Sequence, residues 1–429
     1  MMVGVFKHCI AVSVLLMTGQ LSFAQLDATV FDAATAQKAP MISTMQRLVG
    51  IESGSGDREG LKQIATMIAD QLRALGGEVE LLETGDDVYR MFDTPEQLGP
   101  MVHAQFTGTG DSRILLIAHM DTVYLRGMLA QQPFRIDGNR AYGLGISDDK
   151  QGVALIIHVI ALLREIGFDD YGTLTVLING DEEISSPGSR ALLTRLGGEH
   201  DVVFSAEPSR IDNDALSLAT SGIGAVTMSV QGRASHAGAA PEQGRNALYE
   251  MAHQLLQLDD LSDPDVGFKV NWTLAQVGTK RNVIPADAVA TADVRMLRLE
   301  DFERLESRIE ERISNRLIPD TEISLRFENR RPPLQATDAS RELAAHGQRI
   351  YQELGMTLAV NDQAEGGGTD AAFAALQTAA PVIERFGLQG FGAHTSSDEY
   401  VLLNSIEPRL YLLARMIMDV STGVAPGVK

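Results

Sequence analysis

Three short apolar runs constrain this chain more than anything else in it. Residues 113–118 (RILLIA), 173–178 (TLTVLI) and 202–205 (VVFS) are rich in branched aliphatic residues and bounded by polar loops, as strands buried on both faces are. Residues 152–166, between the first two runs, are apolar nearly all the way round and read as an interior helix. Strand, helix, strand in that order predicts a parallel sheet with helices on both faces. Each run also ends on groups that carry chemistry. RILLIA leads into His119-Met120-Asp121, TLTVLI into Asn179-Gly180-Asp181-Glu182-Glu183, and VVFS through Ala206 into Glu207. Open α/β sheets bind ligands at the carboxyl ends of their parallel strands, so one pattern predicts both a fold and a site.

The middle of the chain has a different rhythm. Residues 223–231 read as a strand, 246–258 as a helix, 269–277 and 283–296 as strands, 300–316 as a helix and 322–327 as a strand. That β-α-β-β-α-β order is ferredoxin-like. After Pro332-Pro333 come a helix, a strand near 381–384 and a helix at 406–418. The expected organisation is a catalytic α/β domain with a mainly parallel sheet, residues 25–220 and 332–429, interrupted by a small α+β domain at 221–331.

Helices are expected at 41–49 and 61–75, and ahead of them residues 1–24 read as an export leader. Lys7 supplies positive charge, residues 9–17 are apolar, and Ser22-Phe23-Ala24 places small residues at the cleavage positions, with Gln25 as the mature start. The apolar run is shorter than the roughly 20 residues that span a bilayer. A secreted, cleaved form is thus expected in the periplasm, and it would contain no cysteine, because Cys9 is the only one. Cysteine nucleophiles, thiolate metal sites and iron–sulfur clusters are excluded with it. The net charge of -21 argues against nucleic acid or an anionic membrane as partner. At 44% hydrophobic and 22% charged residues, the composition is that of an ordinary globular protein.

A strand-end acid on its own is usually a solvated loop residue. Here acids recur in order, and a late His394 follows in a glycine-rich loop. His119 and Asp121, two apart in extended chain, face the same side. Asp148-Asp149 precedes the interior helix, where capping is the competing role for one of the pair. Histidines and carboxylates without thiols suit zinc, or cobalt or manganese in its place.

The runs HMDTVY, GISDDKQG, NGDEEISSPGS, SAEPS, GRASHAG, GGGTDAA and the His394 loop resemble those of the dizinc metallopeptidases that include glutamate carboxypeptidase and aminoacylase. The resemblance spans nearly the whole mature chain in the same order and is nearest to the bacterial glutamate carboxypeptidases. It implies two zinc ions, one held by His119 and Glu207, the other by Glu183 and His394, with Asp148 bridging them. Asp121 would orient His119 through its other ring nitrogen, and Glu182 would be the general base. Neighbouring side chains diverge, so Glu182 and Glu183 can take different tasks. The resemblance also implies a cis Asp148–Asp149 peptide. It further implies a homodimer joined through the inserted domain, in which His236 stabilises the oxyanion in the partner's site.

Asn282, Arg295 and Arg331 would hold a substrate carboxylate, with Gly368 and Thr369 lining the same pocket. One departure stands out: Ala215 occupies the place of an expected lysine, with Arg210 nearby as a candidate replacement. That leaves the preferred side chain open and the free α-carboxylate in place. The implied reaction is hydrolysis of the amide bond to a C-terminal amino acid, in a small peptide or N-acyl amino acid. A deacylase or dipeptidase of the same family differs only on the acyl side. A dizinc aminopeptidase would not need Arg295 and Arg331, and a non-catalytic relative would be expected to have lost ligands. His103, His158, His200, His253 and His346 are expected to be structural.

Overall fold

The computed structural model describes residues 25–428 apart from 86 and 396, so the expected leader lies outside the described residues. The chain opens with helices α1 (Ala28–Val49) and α2 (Arg58–Ala74). The strands β1 (Glu78–Leu82), β2 (Met101–Thr107) and β3 (Arg113–His119) follow. Then come α3 (Gln151–Glu165), β4 (Thr173–Asn179), α4 (Arg190–Glu199) and β5 (Val202–Ser205).

Next is a second set of elements: β6 (Gly222–Gln231), α5 (Ala247–Gln257), β7 (Lys269–Val277), β8 (Asp287–Met296), α6 (Leu299–Ile313) and β9 (Glu322–Arg331). The chain returns through α7 (Asp338–Glu353), β10 (Val382–Ile383) and α8 (Ile406–Ser421).

The large sheet has the order β1-β2-β4-β3-β5-β10. The pairs β4–β3, β3–β5 and β5–β10 are parallel, as expected, whereas β1–β2 and β2–β4 are antiparallel. Its strands sort their side chains onto two faces. Ile114, Leu116, Val176 and Ile178 pack with α1, α3 and α8, while Leu115, Ile117 and Leu177 pack with α4 and the Ala371–Ala374 turn. Helix α3 is buried on nearly every side, which is why its sequence shows no polar stripe.

The second sheet is wholly antiparallel, in the order β7-β8-β6-β9. This is the ferredoxin-like arrangement. Even-numbered residues of β6 and β8, among them Val226, Met228, Ala290 and Val294, meet Met251 of α5 and Phe302, Leu305 and Ile309 of α6. The odd-numbered Ile223, Ala225, Asp293 and Arg295 project from the opposite face, towards the large domain's site. A bulge between Trp272 and Leu274 adds Thr273 to that face.

Two expected strands differ from what is observed. The run at 283–296 is split, because Pro285 removes a backbone donor. Val283–Ile284 pairs instead with Ser235–His236. The strand expected at 322–327 continues to Arg331, which carries that arginine to the mouth of the site. No helix among the described residues is long and apolar enough to cross a membrane.

Candidate metal centre

Because β3 lies parallel between β4 and β5, their carboxyl ends open side by side. His119 closes β3. Glu182 and Glu183 sit in the turn after β4, where Ser185 and Ser186 adopt φ of 69° and 53°. The N–H groups of Ser185 and Ser186 donate to the carbonyls of Glu182 and Asp181, each at 2.7 Å, so the turn is tightly closed. Glu207 follows β5 by two residues.

Two sets of potential ligands meet on Asp148. His119, Asp148 and Glu207 form one and Asp148, Glu183 and His394 the other, with the ligand atoms of each within 4.8 Å of one another. Asp148 divides its carboxylate between them: Oδ1 lies 2.9 Å from His119 Nε2 and Oδ2 lies 3.3 Å from His394 Nε2. Glu207 Oε1 is 3.7 Å from His119 Nε2, and Glu183 Oε2 is 3.1 Å from His394 Nε2. The other oxygen of Glu183 is buried with no hydrogen-bond partner among the described residues.

Burial pushes Glu183 up to about 8 and Glu207 well above the usual carboxylate range. Donating to the Asp148 and Glu183 carboxylates raises His394 to about 10. A site this rich in buried carboxylates calls for compensating positive charge. The nitrogen and oxygen donors, the orphaned Glu183 oxygen and the shared Asp148 all fit a pair of divalent cations.

The surrounding groups fix these ligands. Asp121 is fully buried. Its Oδ1 lies 3.3 Å from His119 Nδ1, and its carboxylate accepts the N–H groups of Glu182 and Glu183 at 3.1 Å each and the Ser55 hydroxyl at 2.7 Å. One side chain thereby orients a histidine and the turn that bears the next two acids. The Asp148–Asp149 peptide is cis. Neither aspartate caps α3: Lys150 occupies the N-cap position without a side-chain bond, and Asp149 accepts from Gln151 Nε2 at 2.8 Å.

Glu399 was not singled out by the sequence reading, yet it holds the bridging segment. It accepts the N–H groups of Gly145 (2.8 Å), Ser147 (2.8 Å) and Asp148 (3.1 Å) and the Tyr124 hydroxyl (2.6 Å). An acid five residues beyond His394 was the available signal.

A cavity of about 550 Å³ separates this centre from the open face of the small sheet. Arg295, Arg331, Gly368 and Thr369 all line it. A Cβ on Gly368 would sit 2.7 Å from the Ser221 carbonyl and 2.9 Å from Arg331 Cδ, so only glycine fits there. Thr369 donates to Glu384, a buried acid that burial pushes up to about 8. Arg295 is braced by both oxygens of Asp293, at 2.8 and 2.9 Å, and donates to the Gly366 carbonyl at 3.0 Å. Arg331 is buried and bonds the Glu182 carboxylate and, at 2.6 Å, the Glu182 carbonyl, with Asp370 3.8 Å away. It therefore grips the expected base, while its Nε is buried with no hydrogen-bond partner among the described residues.

Two expected site residues are not brought to this cavity. His236 and Asn282 lie on an exposed ribbon where Ser235–His236 pairs with Val283–Ile284. There the Asn282 carbonyl accepts the Ala237 N–H at 3.0 Å. Nδ1 of His236 accepts N–H groups of Gly238 and Ala239 at 3.1 Å, which leaves Nε2 as its outward nitrogen. Ala215 is fully buried in a two-stranded ribbon. Arg210 lines an adjoining cavity and is paired with Asp212 at 2.9 Å.

A parallel sheet whose strand ends converge on a thiol-free cluster of histidines and carboxylates, beside an arginine-rich cavity, defines a metal-dependent peptidase or amidohydrolase. The chain belongs to peptidase family M20/M25/M40, whose pattern matches residues 115–419. It is 42% identical over 397 residues to carboxypeptidase G2 of Pseudomonas sp. (strain RS-16), covering 92% of this chain and 93% of that one. Succinyl-diaminopimelate desuccinylase of Methylobacterium nodulans is 29% identical over 371 residues, covering 82% and 90%. The fold is shared with the dipeptidase Dug1p of Saccharomyces cerevisiae at a TM-score of 0.74 and 14% identity, covering 92% and 98%. The chain is thus a metallohydrolase similar to a glutamate carboxypeptidase.

Proposed function

We propose that this enzyme hydrolyses the amide bond between an acyl group and a C-terminal amino acid whose α-carboxylate is free, using two zinc ions. The observation that carries this reading is the division of the Asp148 carboxylate between two histidine-containing clusters. His119, Glu207 and Asp148 would hold one ion, and Glu183, His394 and Asp148 the other. When bound, the ions polarise the scissile carbonyl and lower the pKa of the attacking water.

The protein's own groups do the rest. Glu182 takes the water's proton and passes it to the leaving amine, with Arg331 holding its carboxylate in place. Asp121 keeps His119 presenting Nε2. Arg295, which projects from the open face of the small sheet across the cavity from the metal cluster, is the guanidinium we assign to the substrate α-carboxylate. An aminopeptidase reading is disfavoured because it leaves the arginines that line the cavity without a role.

The two sets of elements support a division into a catalytic domain, residues 25–220 and 332–429, and an inserted domain, 221–331. We assign the inserted domain to homodimerisation, with His236 and Asn282 completing the partner's site. Residues 1–24 are assigned to export into the periplasm.

The test is to load chelated protein with zinc, count the bound ions, and assay N-acyl amino acids against their C-terminal amides. Two zinc ions per chain, with turnover of the free acids only, is the expected result. Full activity in verified metal-free protein would overturn the mechanism. Equal turnover of acids and amides would remove Arg295 from it.

A further inference from the structure

We propose that Arg385 is a specificity-determining residue that binds a second carboxylate in the substrate, so that dicarboxylic substrates are preferred. This rests on the function proposed above and adds to it a substrate class.

The argument starts from position. Arg385 lies just beyond β10, the strand parallel to β5 on its far side, and the Phe386 N–H bonds the Ser205 carbonyl at 3.1 Å. It thus occupies the next carboxyl end in the row that already supplies His119, Glu182, Glu183 and Glu207. Its φ of 66° is unusual for a long side chain. Its side chain enters the seam between the main cavity and the adjoining one, and Glu207, Thr369 and Arg385 line both.

Occupancy of donors separates Arg385 from the other arginines there. Arg295 is braced by Asp293 and Gly366, Arg330 by Asp93 and Glu328, and Arg331 by Glu182 and Asp370, with its buried Nε alone left over. Among the described residues the Arg385 side chain makes one such contact, Nη1 to Glu365 Oε2 at 2.8 Å. Nε and Nη2 are left to face the cavity, although its side chain is only 21% exposed. None of its nitrogens is among the buried groups without a partner, so these two are open to solvent and free to exchange water for a planar carboxylate without breaking an internal bond. Glu365 is itself shared, since Arg210 Nη1 lies 3.9 Å from its Oε2.

Six carboxylates and four guanidiniums line the main cavity, so two bound divalent cations would leave it positive overall and receptive to a dianion. The extra carboxylate can come from the side chain of the leaving amino acid or from the acyl group. In either case Arg385 supplies the cation that neither Ala215 nor Arg210 brings to this cavity.

The experiment uses zinc-loaded full-length protein as wild type, Arg385→Gln and Glu365→Gln. Each is assayed on two matched pairs: N-acetylglutamate with N-acetylglutamine, and N-succinyl-leucine with N-butyrylleucine. We expect wild type to favour the acidic member of one pair by about 10- to 100-fold in kcat/KM, the worth of a charge-assisted hydrogen bond. The pair that discriminates identifies the source of the carboxylate. Arg385→Gln should bring that ratio close to one, mainly through KM, and leave the neutral member within about twofold. Glu365→Gln should keep the ratio or raise it. A ratio unchanged in Arg385→Gln, or lost equally in Glu365→Gln, would overturn the proposal, the latter because Arg385 would then merely tether the 362–368 loop. Calorimetric binding of glutamate against glutamine, and of succinate against butyrate, tests Arg385 without turnover. If wild type hydrolyses none of the four compounds, the proposed function fails, while the binding ratios still decide the role of Arg385.

Discussion

The metal centre and the ribbon bearing His236 and Asn282 differ in how complete each is within one chain. Around Asp148, ligands from five separate segments already lie within reach of one another, and most are at least partly buried. On the ribbon, two polar side chains are exposed and do not line their own chain's cavity. Burying carboxylates costs several kcal/mol apiece unless positive charge offsets it, so the first region is shaped for ions. The ribbon carries no such cost. It is a prepared surface whose contribution, on the proposed reading, is made to another subunit.

The largest effect expected is on the first region. Chelation should abolish activity and lower the melting temperature, because Glu183, Glu207 and Asp148 would lose the charge that offsets their burial. Zinc should restore both. Unchanged melting in demonstrably metal-free protein would mean that the centre is held by hydrogen bonds alone, and the contrast with the ribbon would vanish.

Next in size is the separation of Glu182 from its neighbour. Glu182→Gln should retain both ions and lose about 10²- to 10⁴-fold in kcat. Glu183→Gln should lose occupancy at one site. Metal analysis and single-turnover kinetics on the two variants check this, and the reverse pattern would exchange their roles.

His236→Ala tests the other half of the comparison. Loss of an oxyanion donor should lower kcat by about 10²- to 10³-fold while the metal content stays intact. Mixing His236→Ala with Glu182→Gln subunits should restore activity, because one site in each mixed dimer then has its own Glu182 and the partner's histidine. Mixed dimers that form without regaining activity would return His236 to its own chain or to a structural role.

How far these features were legible differs along the same line. The strands 113–119, 173–179 and 202–205 could be read because each is an unbroken aliphatic run. Their order fixes which loops meet, so the His119, Glu182, Glu183 and Glu207 cluster followed from it. Strand β2 was missed because His103 and Gln105 interrupt its apolar residues, leaving a weak alternation that helix and loop patterns mimic. The pairing of Arg331 with Glu182 spans 149 residues and depends on β9 running four residues further than its apolar pattern suggests. Glu399 was hidden for a related reason. Its partners are backbone N–H groups about 250 residues earlier, and backbone donors leave no mark in a sequence. Local periodicity brought the strand-end histidine and acids together and the family resemblance added Asp148 and His394, whereas the groups that hold them in place became visible only through long-range packing.

The smallest predicted effect asks whether the ribbon's surface is extended by a subunit interface along the nearby sheet edge. Strand β7 ends its sheet and pairs only with β8 among the described residues. Its outward residues are exposed, with Leu274 at 67%. An apolar residue on an open edge invites pairing with another strand, and a lysine there discourages it. Leu274→Lys should therefore raise the dimer dissociation constant by about 10-fold, the equivalent of roughly 1.4 kcal/mol for part of one leucine's burial plus the added charge. Leu274 is not among the residues lining the cavity, so kcat at saturating protein concentration should be unchanged. Because the site is proposed to be completed in trans, specific activity should fall on dilution, and do so at about tenfold higher concentration in the variant than in wild type. Sedimentation velocity run beside a dilution series of activity measures both quantities. A dimer indifferent to Leu274→Lys would move the interface away from this edge. A weakened dimer whose specific activity does not follow dissociation would show that each chain completes its own site, making the exposed ribbon as self-contained as the metal centre.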